Sequence, residues 1–403
     1  MAHTSRHVQK EGESLCHLAF AHWLKFSEAQ VPFIQQYAQE ARALAQQIGN
    51  QKILARSLIS LGFVHQVRGD LAASDRQHEA ALQISRREGY PDTLASSLLW
   101  LSAHAYWRGD FSSAQPLGQE SLTVARAIHD GIGELLGLAF LSTICWSTGD
   151  YVQALTLLHE GRAKAKERDN LFISARLLNT FGWFLREFGA TLQAVDYDQE
   201  SLEGGRVSGV SNVEICALIT LGLDHLALGH HDHALSYLEP TLERVEHEIF
   251  GTERWCWKVR LLLGIAELWH TTSEYDQALR YVEAGIKEAQ RTSSKKYIAL
   301  GLALHGKIVT NLGDTETSGA DLQRAFSLAE QLQSPSLIYP IAYDLGRWHE
   351  RSGHEREAAT LYGKATSTIE QMATAVGDEA LRTAFLQSAL VQAIHERATR
   401  LGG

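Results

Sequence analysis

The sequence predicts an all-α protein, an α-solenoid of about nine helix–turn–helix repeats with a C-terminal capping helix. Three observations support this fold class: a Gly-Asp turn that recurs every 40 residues, columns of small residues in register with it, and a scarcity of proline. Proline breaks helix interiors, and only 6 of the 403 residues are proline. A stack of repeats also accommodates the length of the chain, because each repeat buries itself only against its neighbours.

The turn between the two helices of each repeat is marked by glycine, usually followed by aspartate. Glycine allows the chain to adopt a positive φ after the first helix, and the aspartate can then cap the second helix. The first copy, Phe26-Ser27-Glu28-Ala29, is degenerate, and one later turn is displaced by four residues. The other turns are Gly69-Asp70, Gly109-Asp110, Gly149-Asp150, Gly189-Ala190, Gly229-His230, the displaced Ser273-Glu274, Gly313-Asp314 and Gly353-His354.

Small residues recur at three fixed positions around these turns, seven residues before, five after and twelve after the turn residue. Short side chains let two helices approach closely, since protein interiors pack near crystal density. Leucines at i, i+3 and i+4 spacing give each helix an apolar stripe. The column before the turn contains Gly62, Ser102, Ser142, Gly182, Gly222, Ala266, Gly306 and Gly346. The two columns after it begin with Ser74, Ala114 and Ala154, and with Ala81, Ser121 and Gly161.

An irregularity between residues 229 and 273 divides the predicted array. Pro240 falls inside a second helix, where proline should kink or shorten it, and the displaced turn at Ser273 follows. We therefore expect a change of curvature there. The predicted organisation is a flexible N-terminus over 1–11, a first lobe over 12–228, a second lobe over 229–376, and a capping helix and tail over 377–403.

The composition narrows the range of functions and locations. The net charge of −10 argues against non-specific binding to nucleic acid, which needs a basic surface. No apolar run reaches the 18 or so residues of a membrane span, and the start of the chain lacks an apolar signal core. The four cysteines are far apart in the sequence, which is typical of buried apolar residues in a reducing compartment. We expect a cytoplasmic protein.

The order of small residue, Gly-Asp turn, alanine and small residue resembles the tetratricopeptide signature over roughly residues 12–376. The period of 40 is longer than the usual 34, and in this it resembles the repeat region of MalT-like and LuxR-type bacterial regulators. The resemblance implies a right-handed superhelix that serves as a binding scaffold. It also implies that the first helix of each repeat lines the concave face, through positions two, three, six, ten and thirteen residues before the turn.

Those positions carry aromatic residues and arginines, which are enriched at binding hot spots. The functional interpretation is a groove that binds a peptide, a protein segment or a small effector, with tryptophans as anchors and arginines binding carboxylates or carbonyls. An alternative is that the tryptophans pack between neighbouring helices. Trp255 and Trp257 precede these positions and are expected to fill a packing gap. The predicted groove residues are Tyr106, Trp107, Trp146, Arg176, Asn179, Trp183, Arg186, Arg260, Lys307, Tyr343 and Arg347.

No motif for catalysis is recognisable, since the sequence lacks a phosphate-binding loop, an H-E-x-x-H motif and a nucleophile elbow. The best metal-like feature is His230-His231-Asp232-His233. Residues of one short turn rarely converge on an ion without a ligand from elsewhere, so we expect no metal and no cofactor. His65, His225 and His349 share one position, four residues before the turn, where packing is the expected role.

The sequence therefore predicts a non-catalytic module for binding proteins or peptides, the sensor or interaction part of a bacterial signalling or transcription-regulatory system. Two alternatives stay open. One is an oligomeric scaffold that assembles through its ends, where Phe20, Trp23, Phe26 and Phe33 leave the first repeat less well capped. The other is an enzyme with an unrecognised active site in the groove.

Overall fold

The computed structural model describes residues 2–25, 27–247 and 254–402. These residues form twenty α-helices and one short 3₁₀ helix, Glu28–Gln30, without any strand, which confirms the all-α prediction. None of the described helices is long and apolar enough to cross a membrane. The first helices are α1 (Ala2–Trp23), α2 (Val31–Ile48), α3 (Gln51–Val67), α4 (Leu71–Glu88), α5 (Pro91–Arg108), α6 (Phe111–Ala127), α7 (Gly131–Ser147), α8 (Tyr151–Glu167), α9 (Leu171–Glu187) and α10 (Thr191–Ser208). The others are α11 (Ser211–Ala227), α12 (His231–His247), α13 (Arg254–Thr271), α14 (Tyr275–Arg291), α15 (Lys295–Asn311), α16 (Thr315–Leu332), α17 (Pro335–Arg351), α18 (Glu355–Ala375), α19 (Glu379–Gln387) and α20 (Ala389–Gly402).

Helices α1 to α18 form nine pairs that stack in chain order. The two helices of each pair pack on each other, and the first helix of a pair also contacts the first helix of the next, as α3 contacts α5 and α5 contacts α7. This is the predicted solenoid of nine repeats. Helix α1 begins at Ala2, so the first pair includes most of the segment 1–11 for which the sequence predicts a flexible end. The C-terminal cap consists of two short helices, α19 and α20.

The turns have the geometry that their residues favour. Gly69 and Gly109 have φ of 73° and 80°, in the left-handed region. The carboxylates that follow cap the second helices: Asp70 accepts a hydrogen bond from the Ala73 backbone N–H at 3.0 Å. The displaced turn is less regular, because Ser273 adopts a φ of 66° without being glycine. Glu274 after it makes no side-chain cap.

The columns of small residues lie where paired helices touch. The Ser74 hydroxyl donates to the Gly62 carbonyl at 2.9 Å, and the Ser102 hydroxyl donates to the Ala114 carbonyl at 2.7 Å. A Cβ atom on Gly346 would lie 2.7 Å from the Tyr362 ring, closer than packed atoms approach. These contacts confirm that close helix approach is the role of the small residues.

The junction predicted between 229 and 273 is only partly described. Pro240 lies inside α12, which nevertheless keeps 17 residues, so proline does not shorten this helix. The extra residues before the displaced turn fall in 248–253, outside the described residues. Phe26, predicted at the N-terminal end, is also outside them. The change of curvature and the division into two lobes remain predictions.

The superhelix turns back on itself, so that distant repeats touch. Helix α5 contacts α15, and a Cβ atom on Gly109 would collide with the Leu332 side chain. The indole N–H of Trp255 donates to the Gln66 carbonyl at 2.8 Å, although 189 residues separate them in the chain. The first helices of the pairs therefore enclose an interior, and the candidate site lies there.

Candidate functional site

A cavity of about 100 Å³ lies inside the superhelix and is lined entirely by first helices of the pairs, from α3 to α15. Its wall is rich in aromatic residues, since the inward positions of α5, α9 and α13 carry tryptophan. Such rings present large apolar faces with few polar atoms. The aromatic and charged residues of the wall are Trp100, His104, Tyr106, Trp107, Phe140, Arg176, Trp183, Trp255, Trp257, Arg260 and Tyr297.

Arg260 is the most unusual group in this wall. Only 5% of its surface is exposed, and its guanidinium carbon lies 4.0 Å from the Trp183 ring centroid and 5.0 Å from that of Trp257. Among the described residues, neither terminal nitrogen of this guanidinium has a hydrogen-bond partner. Stacking on aromatic rings partly compensates a buried cation, but it leaves the N–H groups free to bind an anion.

A second, larger cavity of about 360 Å³ adjoins the first and shares Trp183, Arg260 and Tyr297 with it. Lys296 lines this cavity, with its ammonium 4.8 Å from the Trp183 ring centroid, and burial lowers the pKa of this lysine. Lys307 lies 3.7 Å from Asp344, whose charge raises the lysine pKa. The larger cavity is thus more polar than the smaller one and carries both signs of charge.

Most of the predicted groove residues line these spaces. Tyr106, Trp107, Arg176, Asn179, Trp183 and Arg260 line the smaller cavity; Trp183, Arg186, Arg260 and Lys307 line the larger one. Arg347 lines a neighbouring depression of about 120 Å³ together with Lys307.

Trp146 and Tyr343 line none of these three spaces. Trp146 is 2% exposed, donates its indole N–H to Glu187 at 3.0 Å, and meets the Trp183 ring edge-on at 4.7 Å between centroids. Tyr343 is also buried, in the same core cluster. For these two residues the geometry favours packing between neighbouring helices, the alternative interpretation of the aromatic residues.

Four important residues of the site lie nearer the helix starts than the positions considered in the sequence: Trp255, Trp257, Lys296 and Tyr297. Trp257 and Tyr297 both precede their turns by sixteen residues, one helical turn beyond the last position of the predicted groove. Extending the same periodicity by one turn would have found them. Trp255 was expected to fill the packing gap left by the insertion, but it packs between distant repeats, where its ring meets Trp107 at 4.8 Å.

A buried polar network supports the cavity wall from behind. Asn179 donates to Asp198 at 2.8 Å and to Thr220 at 2.6 Å, and Arg186 forms a 2.6 Å ion pair with Asp224. Both aspartates are fully buried. Burial raises the pKa of Asp198 well above its usual value, and the neighbouring Asp224 charge raises it further. Asp198 therefore carries the proton of the pair, while Asp224 is the partner of Arg186.

This protonation makes stability depend on pH. The pKa of Asp198 is higher in the folded chain than its unfolded value of about 3.9, so its contribution to stability is lost as pH rises from about 4 through the folded pKa. Asp198→Asn keeps the acceptor for Asn179 and fixes the neutral state. We expect this variant to show a smaller decrease in the free energy of unfolding between pH 5 and pH 8 than the wild type, measured by urea denaturation. Parallel pH profiles would show that Asp198 is ionised in the folded protein.

Comparison with known proteins identifies the repeat. Residues 54–88, within α3 and α4, match the tetratricopeptide-repeat family. No curated protein matches the chain in sequence.

Several solved structures are similar over almost the whole chain. A Rap protein complexed with competence and sporulation factor superposes with a TM-score of 0.66 at 15% identity, covering 92% of this chain and 99% of the other. A Rap conjugation gene regulator of plasmid pLS20, in complex with the Phr* peptide, gives 0.58 at 14% identity, with 92% and 98% covered. Aspartyl phosphate phosphatase F from Bacillus subtilis gives 0.50 at 12%, with 89% and 93% covered. The chain therefore has a tetratricopeptide-type solenoid fold, which it shares with these proteins.

Proposed function

We propose that this protein is a non-catalytic binding module whose ligand is a short peptide or an extended protein segment held in the two adjoining cavities. The observation that carries this proposal is the buried guanidinium of Arg260, which lies on the wall shared by both cavities and whose two terminal nitrogens have no hydrogen-bond partner among the described residues. We place the protein in a bacterial signalling or transcription-regulatory system, as its sensor or interaction part.

The chemistry of Arg260 indicates what the ligand supplies. Burying a cation without a hydrogen-bonded partner is unfavourable, and the planar fork of arginine matches a carboxylate in a bidentate arrangement. A ligand with an acidic side chain or a free chain end would satisfy both terminal nitrogens. The surrounding rings of Trp183, Trp257 and Tyr297 would contact an apolar neighbour of that carboxylate.

The sizes of the cavities favour an extended segment over a helix. The smaller cavity, about 100 Å³, has room for a single side chain or chain end. A helix is about 10 Å wide with its side chains and would not enter. The larger cavity of about 360 Å³ would hold the residues that follow, near Lys296 and Lys307.

The fold neighbours support a peptide ligand in particular. Two of the similar structures, those with competence and sporulation factor and with the Phr* peptide, are complexes of a tetratricopeptide-type solenoid with a signalling factor or peptide. A third is a phosphatase by name, so the absence of catalysis is part of the proposal. The resemblance of the 40-residue period to MalT-like regulators and the cytoplasmic location also stay predictions.

Arg260→Met tests the proposal because it separates binding from stability. Linear eight-residue peptides with free carboxyl ends would be selected from a random library on the wild type, and their affinities measured by tryptophan fluorescence. We expect the variant to bind them about 10- to 100-fold more weakly, the loss of hydrogen bonds to a charged group. Its unfolding free energy should stay equal or increase, because an uncompensated buried charge is removed.

A control variant locates the binding within the cavity. Trp183→Leu removes the ring under the guanidinium and should weaken the same peptides, whereas Trp348→Leu, outside both cavities, should not. Selected peptides that bind all three variants as tightly as the wild type would contradict the proposed site. Failure to select any peptide would contradict the proposed function itself.

A further inference from the structure

We propose that His225, His230 and His233 form a binding site for a divalent transition-metal ion, with zinc as the ion that best fits the geometry. The site lies on the outer edge of the sixth repeat, away from the cavities, and is independent of the proposed peptide binding. The three residues offer one ring nitrogen each, and these nitrogens all lie within 4.8 Å of one another.

The closest pair has the spacing of two zinc ligands. The Nδ1 atoms of His225 and His230 are 3.4 Å apart. Imidazole nitrogens that bind a tetrahedral zinc at 2.0–2.1 Å are separated by about 3.4 Å, the edge of that tetrahedron. Hydrogen bonds donated by N–H groups to oxygen are normally shorter, about 2.7–3.2 Å between the heavy atoms. The spacing therefore suits a shared ion better than a hydrogen bond between the rings.

The helix turn brings the three rings together. His225 is in the last turn of α11, His230 is in the connecting turn, and His233 is in the first turn of α12. The backbone N–H of His230 donates to the His225 carbonyl at 2.8 Å, which closes the turn at Gly229. By itself, the histidine cluster 230–233 lacks a metal ligand from another element. His225 on the preceding helix supplies that ligand.

The local environment also favours metal binding. The Tyr237 ring stacks on His225 with centroids 5.6 Å apart and planes 7° from parallel, which limits rotation of that imidazole. Three protein ligands leave a fourth position for water or an external group.

The last repeat contains a natural comparison. His349 and His354 occupy the same positions relative to Gly353 as His225 and His230 do relative to Gly229. Their rings are also close, with centroids 5.6 Å apart. Glu357 stands where the sixth repeat has His233, so this turn has only two imidazoles. Loss of the third imidazole should weaken binding of a borderline-soft ion such as zinc.

The test is a titration of the whole 403-residue chain with zinc sulfate alone, in which isothermal titration calorimetry measures binding. We expect one tight site in the wild type and at least about tenfold weaker binding after His225→Gln or His233→Ala, since each removes a ligand. His354→Ala and His231→Ala should bind zinc as the wild type does. Circular dichroism checks that each variant is folded, which is expected because His233 is exposed and His225 is only half-buried.

Cobalt(II) provides a second readout that does not depend on affinity. Tetrahedral coordination by the three imidazoles should give intense visible absorption bands in the wild type that disappear in His233→Ala. Equal zinc affinity in the wild type and His225→Gln, or loss of binding in His354→Ala, would overturn the proposal. Cobalt bands typical of six-coordinate water would also overturn it, because they indicate adventitious binding to single surface histidines.

Discussion

Replacing Arg186 with methionine is expected to lower the free energy of unfolding by about 3–5 kcal/mol, as breaking a buried ion pair generally does. The Arg186 side chain is 14% exposed and its partner Asp224 is fully buried, with 2.6 Å between nitrogen and oxygen. Without the guanidinium, Asp224 must either stay charged without a partner or take up a proton beside protonated Asp198. Both states are unfavourable in this environment.

Urea denaturation at pH 7 would measure this loss, and a double variant would identify its cause. Arg186→Met combined with Asp224→Asn removes both charges, so most of the lost stability should return. If the double variant is as unstable as Arg186→Met alone, lost packing of the arginine stem is the dominant effect. In that case the assignment of Asp224 as the charged member of the aspartate pair is wrong.

The buried polar network around Asp198 and Asp224 also explains why two polar side chains that line the cavities are not free to bind a ligand. Asn179 lines the smaller cavity, but its amide N–H groups are bound by Asp198 and Thr220. Arg186 lines the larger cavity but is held by Asp224. These side chains are therefore fixed parts of the wall. Arg260, with both terminal nitrogens lacking partners among the described residues, is the group available to a ligand.

The repeat and its inward positions could be predicted from sequence because both depend on local geometry. A turn glycine and the small residues seven before and five after it belong to one hairpin, so their spacing directly reflects their contact. The contact of Trp255 with Gln66 depends instead on small rotations summed over about five repeats. No pattern in the sequence indicates the size of these accumulated rotations. The closure of the superhelix and the enclosed cavity are therefore seen only in the structure.

The histidine cluster shows the same limit at a smaller scale. His230 and His233 are adjacent to the turn and can be recognised together, whereas the sequence pattern places His225 in a packing position with His65 and His349. A residue four positions before the turn and a residue one position after it become neighbours only when the turn reverses the chain, as it does at Gly229.

Replacing Trp255 with alanine is expected to lower the free energy of unfolding by about 3–5 kcal/mol and to loosen the closure of the superhelix. Trp255 is buried, bonds to the Gln66 carbonyl and packs edge-on against Trp107, so it joins α13 to α3 and α5. Because the smaller cavity lies between these same helices, loosening this contact should also weaken peptide binding. Hydrogen exchange should increase in α5 and α15, which face each other across the closure.

Trp348 is a matched control for this effect. Its indole N–H also donates to a backbone carbonyl, that of Thr315 at 2.9 Å, but within neighbouring repeats. Trp348→Ala should therefore increase exchange only around α16 and α17 and leave α5 unchanged. If Trp255→Ala changes exchange only near α13, the distant repeats are held together by their other contacts, such as Gly109 with Leu332. Closure would then be a property of the whole stack, and the cavity would not depend on a single tryptophan.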